Sequence, residues 1–184
     1  MKTITVRNLM VPLSEYAVVS KEATLHEAVI ALEKAQETFD KTRYRHRAIL
    51  VFGDDNQIVG KISQLDILKS LEPKYAKILE PAMLSREDLS PRDIKSMLEK
   101  HSLWKHSLDD ICEKAAKLKT KDIMTTPTEG EYVEESAVLA EAIHQLLTGC
   151  HQSLLVTKDE QIVGVLRLTD VFKEVCERIK ACDY

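Results

Sequence analysis

The pattern of apolar and polar positions writes nearly the same phrase twice in this chain. Residues 57–66 read QIVGKISQLD and residues 161–170 read QIVGVLRLTD, 104 positions apart. In each copy a short apolar run carries a Gly, and an Asp follows six positions after it. Ahead of each phrase lies a fully apolar strand, Ala48–Phe52 in the first copy and Leu154–Val156 in the second. A polar turn, Gly53-Asp54-Asp55-Asn56 or Lys158-Asp159-Glu160, joins that strand to a second one, Ile58–Ile62 or Ile162–Leu166. A helix then opens at Asp66 and runs through Ile67, Leu68 and Leu71, or opens at Asp170. Further upstream, Thr24-Leu25-His26-Glu27 has the form of a capping box, and Leu25, Val29 and Leu32 give its helix one apolar stripe. Short β-prone segments, Tyr16–Val19 and Glu131–Val133, come before.

The repeat extends beyond the phrase. Met10 matches Met124, and Leu25–Val29 matches Leu139–Ile143, at an offset of 114. The two offsets differ because the first copy holds ten extra residues within Lys34–Arg47. The pattern is therefore β-α-β-β-α, twice, which predicts an α+β fold with pseudo-two-fold symmetry. Between the copies, residues 72–119 read as two to four helices. Ser90-Pro91-Arg92-Asp93 and Ser107-Leu108-Asp109-Asp110 each have the form of a helix start, and Pro73 and Pro81 act as breaks. The division by sequence is 1–71, 72–119 and 120–184.

Composition narrows the function classes. A net charge of −4 over 184 residues argues against a general nucleic-acid binder. No apolar run reaches the ~18 residues that a membrane helix needs. The opening MKTITVRNLMVPLSE lacks the apolar core of a signal peptide. Cys112, Cys150, Cys176 and Cys182 form no CxxC pair, so reduced thiols in the cytoplasm are expected. There is no P-loop, GxSxG, HExxH or Gly-rich dinucleotide turn, so no enzyme is expected. His101 and His106, five apart, do not share a helix face as zinc ligands would, and no metal is expected. Leu103 and Trp104 are expected to pack the insert onto the core or a second subunit.

These features resemble the cystathionine-β-synthase-type (CBS) domain, whose members occur as tandem pairs. The resemblance rests on the Met-led β-α opening, the apolar strand, the acidic turn and the phrase Gly-x-apolar-[Ser/Thr]-x-x-Asp leading into a helix. It implies a Bateman-type module with ligand clefts between the repeats and dimerisation through helices. The implied ligands are adenosine-containing: AMP, ADP, ATP or S-adenosylmethionine, with no obligatory cofactor. By the same resemblance Asp66 and Asp170 accept hydrogen bonds from ribose hydroxyls, although an Asp at such a position also serves as a plain helix cap. Ser63 sits beside ribose or phosphate, next to Lys61. Tyr16 and Ala17 lie where the family wraps adenine, a core role being equally open, and Thr128 is their counterpart in the second copy.

Phosphate-holding members often place His-Arg before the apolar strand, and here the residues are Arg45-His46-Arg47. That basic run is also readable as a solvated helix end. The second copy has Cys150-His151 at the matching positions, Arg167 in place of Ser or Thr, and Thr169 two residues late. The complete site is therefore expected in the first copy, with the planar fork of Arg167 suited to a phosphate shared across the centre. The implied function is a stand-alone regulatory module, an energy sensor in type. It would signal through conformation or assembly, as a homodimer, to a separate effector protein, with no membrane or nucleic-acid partner. The alternative is a structural dimerisation module with decayed sites.

Overall fold

The structure, a computed structural model, describes residues 4–78, 90–104 and 110–182. The Ser107-Leu108-Asp109 helix start, Pro81 and His106 lie outside the described residues. The first copy contains β2 (Val18–Ser20), α1 (Leu25–Thr38), β3 (Ala48–Phe52), β4 (Ile58–Ser63) and α2 (Gln64–Leu71). The second contains β5 (Tyr132–Glu134), α7 (Leu139–Thr148), β6 (Ser153–Lys158), β7 (Gln161–Arg167) and α8 (Leu168–Lys180). In each, a parallel pair (β2 with β3, β5 with β6) and an antiparallel pair (β3 with β4, β6 with β7) follow the same order. The β-α-β-β-α reading thus holds in both copies.

The copies exchange their openings. Strand β1 (Val11–Pro12) belongs to the sheet of the second copy, where Val11 pairs with Val165 and Pro12 with Gly164. The symmetry-related contact is the bridge between Thr125 and Lys61, just after α6 (Thr120–Ile123). Cuts at 71 and 120 therefore follow the sequence but not the contacts. The glycine of the repeated phrase has its reason here. A Cβ at Gly60 would stand 2.9 Å from Cγ of Met124, and one at Gly164 would stand 2.5 Å from the carbonyl oxygen of Val11 and 3.1 Å from Sδ of Met10. The matched Met10 and Met124 are thus the residues that cross over and lie on the partner copy's glycine.

Central strands are buried on both faces, and their alternation sorts side chains into three clusters. From β3, Ile49 and Val51 join Ala17, Val19, Ala28 and Ile62 under α1. From β6, Leu154 and Val156 join Val133, Ala142, Leu146 and Leu166 under α7. The intervening Leu50 and Leu155 point the other way. They meet at the seam with Val11, Tyr16, Phe39 and Val165. On α1 the buried residues are Leu25 and Ala28, while Val29, expected in the stripe, is exposed.

The surplus of the first copy is visible as length. Helix α1 has 14 residues against 10 in α7. The connection after it, 39–47, is also five residues longer than 149–152, and it crosses toward the second copy. In the insert, α3 (Tyr75–Ile78), α4 (Pro91–Lys100) and α5 (Ile111–Lys117) are described. Ser90 caps α4, its Oγ accepting from the Asp93 amide at 3.2 Å, with Pro91 at the first helical position. Leu103 is buried, and the Trp104 indole donates to the Tyr75 hydroxyl at 3.1 Å. No helix among the described residues is long and apolar enough to cross a membrane.

Candidate functional site in the cleft between the repeats

At the end of β4 the chain leaves extended geometry at Ser63, and α2 begins. Ser63 is the N-cap, and Asp66 is the third helical residue, closing a capping box. The Ser63 hydroxyl accepts from the Asp66 amide at 3.2 Å and donates to Oδ2 of Asp66 at 2.6 Å, while the Ser63 amide donates to the same oxygen at 2.8 Å. Asp66 therefore completes the cap rather than opening the helix, as its sequence position had suggested. One carboxylate oxygen does this work. The other, Oδ1, accepts no hydrogen bond from the described residues.

Asp66 lies on a cleft of about 420 Å³ between the two copies. The first copy contributes Tyr16, Arg45, Arg47, Lys61, Ser63 and Asp66, and the second contributes His151, Arg167 and Thr169. Arg45 and Arg47 are exposed and form no ion pair among the described residues. Lys61 is held across the seam by an ion pair with Glu131, and burial lowers its pKa. Glu131 in turn accepts from the Thr128 amide at 3.1 Å, closing a capping box over a short turn. Chemically the cleft offers an unspent carboxylate oxygen, a helix start and two unpaired guanidiniums. Such a set suits a ligand with vicinal hydroxyls at one end and anionic oxygens at the other.

The matching place in the second copy is built differently. Arg167 stands at the N-cap position of α8 and gives no side-chain cap. Its guanidinium grips Asp170 instead, with Nε to Oδ2 at 2.5 Å and Nη2 to Oδ1 at 2.7 Å. Arg43 adds a second cation to Oδ1 at 3.1 Å and donates to the carbonyl of Leu9 at 2.9 Å. Nη1 of Arg167 donates to the Tyr44 carbonyl at 2.7 Å and approaches Nδ1 of His46 at 3.3 Å. Arg167 and Asp170 are 4% and 5% exposed.

His46 is 1% exposed, with its ring centroid 4.5 Å from that of Tyr16 and 4.2 Å from that of Phe39. A guanidinium only donates, so Nδ1 is the acceptor and the ring proton sits on Nε2. Nε2 has no hydrogen-bond partner among the described residues, although the Glu15 backbone favours the protonated ring. Burial, and then the charge of Arg167, push the imidazole pKa down to about 4. Burial pushes the Tyr16 hydroxyl up to about 12.

The expected ligand residues thus divide. Tyr16, Arg45, Arg47, Lys61, Ser63, Asp66, His151, Arg167 and Thr169 line one cleft. Ala17 is buried under α1, His46 lies between two aromatic rings, Thr128 caps a turn, and Asp170 is closed by two guanidiniums. A ribose at Asp170 would have to displace an ion pair. Arg167 likewise lines the cleft but is committed to Asp170 rather than standing free for a phosphate. Sequence reasoning missed Phe39 and Glu131. Glu131 was findable from the Thr128-x-x-Glu131 spacing. Phe39 lies in the ten-residue surplus, whose destination was not read.

Solved structures share this fold. The CBS domain of a membrane protein from Sphaerobacter thermophilus is 18% identical, with a TM-score of 0.61 over 94% of this chain and 88% of that one. CBSX2 in complex with AMP is 20% identical, with a TM-score of 0.58 over 94% of this chain and 97% of that one. The CBS domain of a bacterial CNNM/CorC family Mg²⁺ transporter in complex with ATP is 17% identical, with a TM-score of 0.56 over 94% and 87% of the two chains. No curated protein matches this sequence. The CBS domain family model matches residues 6–73 and 121–177, the same two copies that the repeated phrase marks, and the chain belongs to the CBS domain family as a tandem pair.

Proposed function

We propose that this chain is a non-catalytic regulatory module that binds an adenine nucleotide in the cleft beside Asp66. The observation that carries the reading is the pairing, in one cleft between the repeats, of an unspent Asp66 oxygen with the unpaired Arg45 and Arg47. The Asp66 carboxylate accepts from both ribose hydroxyls, Ser63 and the start of α2 face the ligand's polar edge, and Arg45 and Arg47 hold phosphate. Structures of this fold solved with AMP and with ATP support the ligand class. The cationic wall favours AMP, ADP or ATP over S-adenosylmethionine, whose sulfonium is itself a cation.

Regulation requires that the ligand distinguish two states of the protein, since equal affinity for both shifts nothing. Helices α2 and α8 expose Leu65 (66%) and Phe172 (60%), with Leu68 and Ile179 beside them. These faces support a homodimer through helices, with a separate cytoplasmic effector reading its assembly or shape as a report of energy state. They equally favour the second reading, a structural dimerisation module with no ligand. Thermal unfolding with AMP, ADP, ATP and S-adenosylmethionine separates the two. A ligand at 100 times its Kd adds about 2.7 kcal/mol to the stability of a binding protein. A shift with a phosphorylated adenosine, lost in Asp66→Ala, and no nucleotide turnover by chromatography are the expected results. No shift with any of the four would leave the dimerisation reading.

A further inference from the structure

We propose that residues Phe39–His46 are the resident occupant of the second inter-repeat cleft, so that the chain takes one nucleotide and keeps its second site latent. The proposal rests on the reading of the first cleft as a nucleotide site, and adds to it the stoichiometry and the device that sets it.

The pseudo-symmetry shows what has changed. Beside Asp66 runs a groove of about 460 Å³ lined by Lys69, Ser70, Asp122 and Ile123. Its counterpart beside Asp170 is lined by Lys173, Glu174, Asn8 and Leu9, the same positions in the other copy. Three further residues stand in the second groove with no equivalent in the first: Asp40, Thr42 and Arg43. All three come from the surplus connection that only the first copy possesses.

That connection brings groups of the kind a nucleoside would bring. The Arg43 guanidinium donates to Oδ1 of Asp170, the oxygen whose counterpart on Asp66 is unspent. The Phe39 ring is buried at the seam with Tyr16, and His46 lies between the two, filling the space with flat rings. Arg43 and Arg167 stand over the Phe39 ring at 5.5 and 5.1 Å. The strap is fastened to the second copy along its length. Lys173 donates to the Thr42 carbonyl at 2.9 Å, Arg167 to the Tyr44 carbonyl at 2.7 Å, and Arg43 to the Leu9 carbonyl at 2.9 Å. Guanidiniums hold three of the roughly four acceptor sites of Asp170, and the one left is too few for both hydroxyls of a diol. The space between Tyr16 and Phe39 is filled by the His46 ring and has no room for a base.

The test is AMP binding by equilibrium dialysis on four proteins: wild type, Asp66→Asn, Phe39→Ala/Arg43→Ala, and the triple variant. The expected wild-type stoichiometry is one AMP per chain, falling to none in Asp66→Asn. The double variant is expected to bind two, and the triple variant one. Two AMP per wild-type chain would overturn the strap while leaving the first-cleft reading intact. A double variant that folds, by circular dichroism, and binds no more than wild type would also overturn it. If wild type binds none but the triple variant binds one, the strap stands and the first-cleft reading falls. Should the double variant fail to fold, Arg43→Ala alone, with Arg43 partly exposed at the surface, serves in its place. It is expected to give a weak second AMP site of at least tenfold lower affinity than the first, and its absence would overturn the proposal.

Discussion

Asp66 and Asp170 occupy the same position in two copies of one motif, and the residue three places upstream sends them to different fates. Ser63 is short, so it caps the helix, engages one carboxylate oxygen and leaves the other at the cleft. Arg167 is long and charged, so it abandons the cap and closes on Asp170 with both arms of its fork. One substitution in a four-residue spacing turns a helix cap into a buried ion pair. The strap closes over that pair, with Arg43 on the Asp170 carboxylate, the Tyr44 carbonyl on Arg167 and the tilted rings of Phe39 and His46 beside it.

The largest expected asymmetry is in stability. Asp170→Ala leaves the buried Arg167 guanidinium without its partner and beside the half-buried Arg43, and breaking a buried pair in this way costs about 3–5 kcal/mol. Asp66→Ala removes a partly exposed cap contact and costs about 1 kcal/mol. Urea denaturation of the two variants measures the difference directly, and equal losses would refute the division of roles. The glycines give the next effect. Gly164→Ala sets a methyl against the Val11 backbone and is expected to cost about 2–3 kcal/mol, within the range for overpacking. Gly60→Ala meets only the flexible Met124 side chain and is expected to cost about 1 kcal/mol. Their melting temperatures should fall in that order.

A smaller effect follows from His46. Its folded pKa of about 4 lies below the ordinary value of 6.5, so the unfolded chain takes up the proton first as pH falls. Stability from this group is complete above about pH 6.5 and declines between there and about pH 4. His46→Gln, which removes the titration at that position, should flatten this part of the stability–pH profile. The Lys61–Glu131 pair spans the copies at the cleft, and because Glu131 is buried, Lys61→Met strands its carboxylate and is expected to cost about 1–3 kcal/mol while weakening nucleotide binding.

Much of this was legible in the residues. The repeat fixed both sheets, because alternation and turn chemistry are local signals that each copy states independently. The caps at Thr24 and Ser90 are likewise three-residue relations, whereas at Ser63 the sequence reading misses the same relation and opens the helix at Asp66. Arg167 was visible as a departure, but the sequence reading gives it a phosphate contact and Asp170 a ribose contact, although their i,i+3 spacing permits a pair. What could not be read was the path of the extra residues. Arg43 and Asp170 are 127 positions apart, and a basic run beside a helix looks the same whether it faces water or an acid across the seam. The exchange of β1 between copies was hidden for the same reason: a two-residue strand carries almost no periodicity.

One measurement tests the division of the two sites most directly: thermal unfolding of Asp66→Asn and Asp170→Asn, each with and without ADP. The account predicts that Asp66→Asn keeps the wild-type melting temperature and loses the ADP-induced shift. It predicts that Asp170→Asn melts several degrees lower and retains that shift. A stable Asp170→Asn that no longer responds to ADP, beside an Asp66→Asn that still does, would contradict it.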